Sequence, residues 1–169
     1  YPEQWAEIIF AFKKIIEEKG IEFDVIAGVE AAGIPHSAAL SFAMKKPSVF
    51  VRKQVKGHGT KKMVEGGDVT GKRVLLIEDH VSTGISSLAA VESLRNEGAI
   101  VEDCFAISDY GFPIVEESFG KHNAKLHSLV DFPTIVEQGI KNGKIKADQK
   151  KVMLDWMEDP KGWEKKYQG

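Results

Sequence analysis

Little in this 169-residue sequence announces a compartment or a partner. Cys104 is its one cysteine. A single thiol closes no internal disulfide, so the fold does not depend on oxidation, and a reducing cytoplasm is the expected setting. Cys104 sits in the apolar run of residues 101–107 and reads as a small buried core residue, with no His or Asn arrangement to make it a nucleophile. No apolar run approaches the ~20 residues that span a bilayer. The first residues, Tyr1-Pro2-Glu3-Gln4-Trp5, lack the basic and apolar regions of a signal peptide. The net charge is only −2, so no whole-molecule field points to nucleic acid or an acidic membrane, and any basic site must be local. There is no internal repeat, low-complexity tract, helix-turn-helix candidate or basic helix.

What is present is an ordinary globular composition, 43% hydrophobic and 28% charged, at a length that fits one domain over residues 1–169 with a helical tail from about residue 148. Trp5, Ile8, Ile9, Phe12, Ile15 and Ile16 recur at helical spacing, with Gly20 as a stop; this aromatic and aliphatic stripe reads as core. Residues 24–29 (DVIAGV) form a short buried strand, and a helix is expected from the Ile34-Pro35 step to about Met44. Strands follow at residues 48–52, 72–78, 100–107 and 126–130. Helices are expected around Leu88, Val91 and Leu94, from Pro113 to about residue 122, from Phe132 to about residue 140, and over 148–157. A tail with Pro160, Trp163 and Tyr167 ends the chain. Residues 53–68 hold four glycines and no periodicity, so they read as a long mobile loop, and residues 79–87 as a polar loop. Strands alternating with helices predict an α/β fold, a mostly parallel sheet with helices on both faces. Ligands bind such sheets at the carboxyl ends of the strands.

Three segments lie at such ends. In the first, Leu75-Leu76-Ile77-Glu78-Asp79-His80-Val81-Ser82-Thr83-Gly84-Ile85-Ser86-Ser87, a buried strand ends in two adjacent carboxylates before a Ser/Thr/Gly loop and a helix. Backbone N–H groups at a helix start point at an anion, and the helix dipole favours negative charge there. The hydroxyls of Ser82, Thr83 and Ser86 add donors, and Gly84 lets backbone approach closely. Glu78 and Asp79 would repel a phosphate, so they suit something else: two vicinal sugar hydroxyls. A phosphate next to a diol is a ribose 5-phosphate. A plain strand-to-helix turn with Ser/Thr caps explains Ser82 or Ser86, but not two carboxylates at the end of an apolar strand, where burying charge is costly. The Gly-Lys-Ser/Thr ending of a Walker A loop and the G-x-G-x-x-G dinucleotide spacing are both absent.

The second segment, residues 52–62, holds five cationic residues (Arg52, Lys53, Lys56, Lys61 and Lys62), His58 and no acid. A charge run is often a solvated face. This one follows a strand and is flanked by glycine, so it suits closure over a polyanion and neutralisation of a leaving pyrophosphate. His58 has no partner at metal-ligand spacing and suits proton or hydrogen-bond donation. The third segment, Ala27-Gly28-Val29-Glu30-Ala31-Ala32-Gly33-Ile34-Pro35-His36, is a strand–turn–helix of small residues that would let a second phosphate reach backbone N–H groups; turn chemistry accounts for it about as well.

In this order the three segments resemble the type I phosphoribosyltransferases, and the orotate-using branch most closely. The stretch Ile77–Ser86 is similar to that family's motif for 5-phosphoribosyl-1-pyrophosphate (PRPP). Arg52-Lys53-x-x-Lys56-x-His58-Gly59 is similar to the catalytic loop of the orotate enzymes, and DVIAGVEAAGIP to the pyrophosphate loop. The likeness extends through Tyr110-Gly111-Phe112-Pro113 to Asp159-Pro160-Lys161-Gly162-Trp163. It implies PRPP bound by Arg52, Lys53, Lys56, His58, Glu78, Asp79, His80, Val81, Ser82, Thr83, Gly84, Ile85 and Ser86, with Lys56, His58 and Asp79 catalytic. It implies pyrophosphate at Glu30, Ala31, Ala32 and Gly33, orotate at Ser82 and Tyr110, Mg²⁺ carried on PRPP, and a homodimer sharing the cationic loop, with no nucleic-acid or membrane partner. The implied reaction is phosphoribosyl transfer to orotate in de novo pyrimidine (UMP) biosynthesis.

Two departures stand out. Many orotate enzymes carry Asp-Arg after the fourth strand, the Arg reading the base; here the pair is Asp109-Tyr110, as in one bacterial branch. The resemblance also implies an earlier N-terminal segment that closes over the base, and this chain starts at what matches the following helix. Two alternatives stay open: transfer to a purine or other base, and a PRPP-sensing regulator without catalysis.

Overall fold

The computed structural model describes residues 1–54, 62–146 and 148–167, except the side chains of residues 161, 164 and 165. The N-terminal stripe forms α1 (Pro2–Lys19), with proline in the first turn, where its missing N–H would be unpaired anyway. Gly20 closes it in the left-handed region at φ 62°, its N–H reaching the Glu17 carbonyl at 3.1 Å. Ile9, Phe12 and Ile16 are buried as expected, but Trp5 is 41% exposed and does not belong to the core. It lies in the first turn, where its neighbour is the second helix rather than the sheet.

The chain then alternates as its patterning predicts: β1 (Val25–Val29), α2 (Gly33–Met44), β2 (Ser48–Val51), β3 (Val64–Glu65), β4 (Val74–Val81), α3 (Ile85–Asn96), β5 (Asp103–Asp109), α4 (Pro113–Lys121), β6 (Lys125–Asp131), α5 (Phe132–Lys141), α6 (Gln149–Glu158) and α7 (Pro160–Tyr167). The strands form a six-stranded sheet in the order β3-β2-β1-β4-β5-β6, parallel except where β3 returns antiparallel along β2.

Strand alternation sends successive side chains to opposite faces. Ile26, Leu75, Ile77 and Phe105 meet α1 and α2 on one face, where the Phe12 and Phe105 rings pack edge-on at 5.9 Å. Val25, Ala27, Val29, Leu76, Cys104 and Ala106 meet Val91 and Leu94 of α3 and Phe119 of α4 on the other. Helices thus cover both faces, which explains the near-continuous apolar runs of the central strands. Cys104 is fully buried, and burial drives its thiol pKa far upward, so it is an inert core residue. No helix among the described residues is long and apolar enough to cross a membrane.

Several boundaries move. Residues 53–68 are not structureless: Val64 pairs with Val51 and Glu65 with Phe50 to make β3. Two residues are too few to show a period, so only the tertiary pairing reveals the strand. Residues 55–61, with Lys56 and His58, lie outside the described residues. Residues 79–87 are not one loop either. β4 runs on through Val81 because His80 and Val81 keep pairing with Ser108 and Asp109 of β5, and α3 begins already at Ile85. β4 and β5 start later than their sequence pattern suggests, with only an Arg73–Ile100 bridge at the near end. The tail, expected to be helical, folds as α7, with Pro160 in its first turn.

From β1 the sheet grows outward through β2 on one side, and from β4 through β5 and β6 on the other. The strand order therefore reverses between β1 and β4, a crevice where parallel sheets bind ligands.

Candidate functional site

Two helix starts flank that crevice. α2 begins after the β1 turn, with Ala32 as its N-cap residue and no side-chain cap. α3 begins after the β4 turn, with Gly84 at φ 79° and again no side-chain cap. Ser82 and Ser86 therefore do not cap α3, and the first amides of both helices lack side-chain acceptors. Ser82, Thr83 and Ser86 are exposed around the α3 start. Between the two starts, β4 delivers Glu78 and Asp79. The pleat turns them to opposite faces: Glu78 under α3, and Asp79 toward α2.

Glu78 is only 5% exposed. Its Oε2 accepts from the Ser87 hydroxyl at 3.5 Å, and its Oε1 from the Asp79 N–H at 3.3 Å. Burial, reinforced by the neighbouring Asp79, pushes its pKa up to about 8. The raised value favours the protonated form of Glu78 near neutral pH, with the Asp79 carboxylate as its hydrogen-bonding neighbour. Ser87 is a partner of Glu78 that sequence reading passed over: as a buried serine in the first turn of α3, it is indistinguishable by type from its exposed neighbour Ser86.

A second unforeseen residue is His36, in the first turn of α2. Its Nδ1 accepts the Trp5 indole N–H at 3.0 Å, the rings edge-on at 5.9 Å. An indole nitrogen can only donate, so neutral His36 must carry its own proton on Nε2. Burial lowers the His36 pKa while the Asp79 charge acts to raise it, which places His36 beside the open carboxylate. The signal was the apolar-stripe position of Trp5, legible only once Trp5 proves not to be core.

The pyrophosphate-loop candidates Glu30, Ala31, Ala32 and Gly33 form the β1–α2 turn, with a cis peptide between Glu30 and Ala31. The Glu30 carboxylate accepts the Lys53 N–H at 2.9 Å, tying the ends of β1 and β2 together. Gly33 is required by close packing: a Cβ there would stand 2.5 Å from the Ile77 carbonyl oxygen. Arg52 donates to Glu65 on β3 at 3.1 Å, and its Nε is buried without a partner among the described residues. Arg52, Lys53, Thr83 and Ser86 share the lining of a cleft of about 400 Å³, so the start of the cationic segment and the Ser/Thr loop face one space.

On the β5 side, the His80 Nδ1 lies 2.9 Å from the Ser108 hydroxyl, and its buried Nε2 has no partner among the described residues. The Tyr110 ring stands edge-on against His80 at 4.5 Å, and its N–H reaches the Val81 carbonyl at 3.3 Å. Glu78, Asp79, His80, the Ser/Thr loop, the β1–α2 turn and Tyr110 are therefore brought to one edge of the sheet, with Arg52 and Lys53 beside them. Among the described residues no group of three His, Cys, Asp or Glu side chains is placed to hold a metal.

Residues 2–108 match the family model described as the phosphoribosyl transferase domain. The chain is 39% identical over 164 residues to the orotate phosphoribosyltransferase of Coxiella burnetii, covering 97% of this chain and 78% of that protein. Against the orotate phosphoribosyltransferase of Bacillus subtilis it is 35% identical over 168 residues, covering 98% and 78%. Among solved structures it resembles Leishmania donovani UMP synthase, with TM-score 0.80 and 25% identity over 93% of this chain and 33% of that one. It also resembles the orotate phosphoribosyltransferase of Aeropyrum pernix, with TM-score 0.74 and 28% identity over 82% and 77%.

Proposed function

Since the chain belongs to the phosphoribosyl transferase family, among its orotate phosphoribosyltransferases, we propose that it moves the phosphoribosyl group of PRPP onto orotate, giving orotidine 5-phosphate and pyrophosphate. The observation that carries this reading is the acidic pair Glu78–Asp79 at the end of β4, set between two helix starts that no side chain caps. One start suits the 5-phosphate and the other the pyrophosphate, and the pair between them suits a ribose diol.

In this reading Asp79 accepts from the ribose hydroxyls on the open side and Glu78 supports them from beneath. Ser82, Thr83, Gly84, Ile85 and Ser86 cradle the 5-phosphate, with His80 and Val81 forming the floor. The β1–α2 turn, Arg52, Lys53, Lys56 and His58 take the pyrophosphate. Arg52 already pairs with Glu65, so Lys53 and Lys56 carry more of that charge. A ring nitrogen of orotate forms the new bond to C1 and gives up its proton to water or to the departing pyrophosphate, while the bond from C1 to the pyrophosphate oxygen breaks and its electron pair leaves with pyrophosphate. The transition state has oxocarbenium character, and the protein contributes positioning and cationic stabilisation of the leaving group. The charge of orotate sits on its carboxylate rather than on the attacking ring nitrogen, and no side chain among the described residues is assigned as the base.

Mg²⁺ fits as a passenger of PRPP, held by substrate oxygens and water with Asp79 the nearest open carboxylate; when bound it offsets pyrophosphate charge. The reading further includes one phosphoribosyltransferase domain over residues 1–169, a cytoplasmic setting, and a homodimer in which the segment at residues 52–62 serves the partner's site. Chromatographic detection of orotidine 5-phosphate from orotate, PRPP and Mg²⁺ tests the activity. Its absence at enzyme concentrations that still bind PRPP would remove it.

A further inference from the structure

The β1–α2 turn carries one long side chain. Ala31 and Ala32 are small and exposed, Gly33 has no side chain, and α2 starts without a side-chain cap. Glu30 is the exception, a half-buried carboxylate in the turn that the phosphoribosyl-transfer reading gives to pyrophosphate. An acid beside an anion site repels the ligand, so anion binding by the turn does not account for it.

The pairing of β1 with β2 shows what Glu30 does instead. Val29 pairs with Val51 in parallel register, and the Glu30 N–H continues the ladder to the Val51 carbonyl at 2.9 Å. In a parallel ladder the next rung runs from the N–H two residues on, that of Lys53, back to the Glu30 carbonyl. Here the chain leaves β1 at Glu30 for the turn, and the side chain takes the place of that carbonyl: its Oε2 accepts the Lys53 N–H at 2.9 Å. One residue thus turns the chain toward α2 and keeps Lys53 in register with β1. On the β3 side, Arg52 is held in the same way, its N–H donated to the Met63 carbonyl at 2.9 Å and its guanidinium to Glu65 at 3.1 Å.

Lys53 stands at the site. It shares the cleft of about 400 Å³ with Thr83 and Ser86. Burial raises the Glu78 pKa and the Lys53 ammonium acts against that rise, which places the ammonium within electrostatic reach of the acidic pair.

We propose that Glu30 is a positioning residue: its carboxylate pins the Lys53 backbone to the β1–α2 turn, so that the Lys53 ammonium and the amides of the turn meet pyrophosphate as one preorganised unit. Glu30 acts through Lys53 and does not itself touch the ligand. Fixing the cation beforehand spares its ordering on binding. The device needs reach and an acceptor oxygen, not charge. Glutamine keeps both, aspartate is one methylene too short, and alanine has neither. This rests on the phosphoribosyl-transfer reading for what the turn binds.

Calorimetric titration of the whole chain with inorganic pyrophosphate in Mg²⁺, and separately with ribose 5-phosphate, tests the proposal. Glu30→Ala weakens pyrophosphate by about tenfold, the scale of one charged hydrogen bond, and leaves ribose 5-phosphate within about twofold. Glu30→Gln stays within about threefold of wild type for both ligands. The sign is diagnostic, because removing a charge that merely repels the ligand tightens pyrophosphate in both variants, and that result overturns the proposal. So does an unchanged affinity in Glu30→Ala, an equal fall for both ligands, or a loss in Glu30→Gln as large as in Glu30→Ala. If Glu30→Ala does not fold, Glu30→Asp takes its place with the same expectation. Failure of the activity reading is separable: no turnover with orotate, alongside the expected affinities, removes the reaction and leaves the positioning role. A wild type that binds no pyrophosphate removes both.

Discussion

The Ser87 hydroxyl, in the first turn of α3, donates to the Glu78 carboxylate at the end of β4 at 3.5 Å, and this contact lies almost wholly out of solvent. Two long neutral hydrogen bonds, from Ser87 and the Asp79 N–H, do not replace the hydration of a carboxylate, which is why burial raises the Glu78 pKa to about 8. The folded state holds this proton more tightly than the unfolded chain, whose ordinary value is 4.5. Stability should therefore fall as pH rises between those two values. Glu78→Gln mimics the protonated form. Its thermal midpoint should match wild type below the ordinary value of 4.5 and exceed it increasingly toward pH 8, measured without ligand. A difference independent of pH contradicts the assignment.

The same substitution should act in the opposite sense on binding. Asp79→Asn and Glu78→Gln each remove an acceptor for sugar hydroxyls, and charged hydrogen bonds contribute about 1.5–3 kcal/mol. The KM for PRPP should rise about ten- to hundredfold in Asp79→Asn, and less in Glu78→Gln, already protonated in the free protein. Steady-state kinetics decides; a larger effect at Glu78 than at Asp79 would reverse the roles given to the pair.

Gly33 sets how closely α2 approaches β4. A methyl group there meets backbone, the Ile77 carbonyl at 2.5 Å, which cannot turn aside as a side chain would. Gly33→Ala should cost about 1–3 kcal/mol, as overpacking does. That corresponds to a lower midpoint by about 2–4 °C per kcal/mol in a chain of this size. It should also displace the β1–α2 turn and weaken pyrophosphate inhibition. An unchanged midpoint would show that the helix yields freely.

Trp5 and His36 give a separate handle. Trp5→Phe keeps the ring but removes the N–H that fixes the His36 proton on Nε2, a hydrogen bond contributing roughly 0.5–1.5 kcal/mol. The expected result is a small loss of stability, with the His36 ring nitrogens changing in ¹⁵N NMR from one tautomer to a mixture. Identical nitrogen shifts in both proteins would rule out the Trp5 contact as the cause.

Much of this site was legible because chemistry and secondary structure change together at one point in the chain. Packing alone gives no reason for an apolar strand to run straight into Glu78-Asp79 and then a Ser/Thr/Gly turn, since charge is costly to bury. The parallel sheet covered by helices on both faces and the burial of Cys104 follow from the same alternation, whereas the strand order does not. What was hidden depends on contacts across the chain. β3 is two residues long and exists only because β2 offers it a partner. Trp5 carries the right spacing for the core stripe, yet it lies beyond the reach of the sheet. Trp156 stands in a helix with no strong apolar face, and nothing local ties it to Tyr110, 46 positions earlier (156 − 110).

Lys56 and His58 fall within residues 55–61, so their contribution is best read kinetically. Lys56→Ala should lower kcat by about 10²-fold or more, the scale of losing one preorganised electrostatic contact to developing charge, while KM for PRPP moves less. A change confined to KM would make Lys56 a ground-state anchor instead.

Base-dependent cleavage of PRPP is read from the release of pyrophosphate. The chain is incubated with PRPP and Mg²⁺ in parallel with orotate, adenine, guanine, xanthine and uracil. Release with orotate, at a rate well above every other base, is the predicted result, and it would show that Asp109-Tyr110 is compatible with orotate as the substrate. Release with a purine base and none with orotate would contradict the substrate while keeping the chemistry. Silence with every base from a protein that binds PRPP would contradict the enzyme and leave a PRPP sensor.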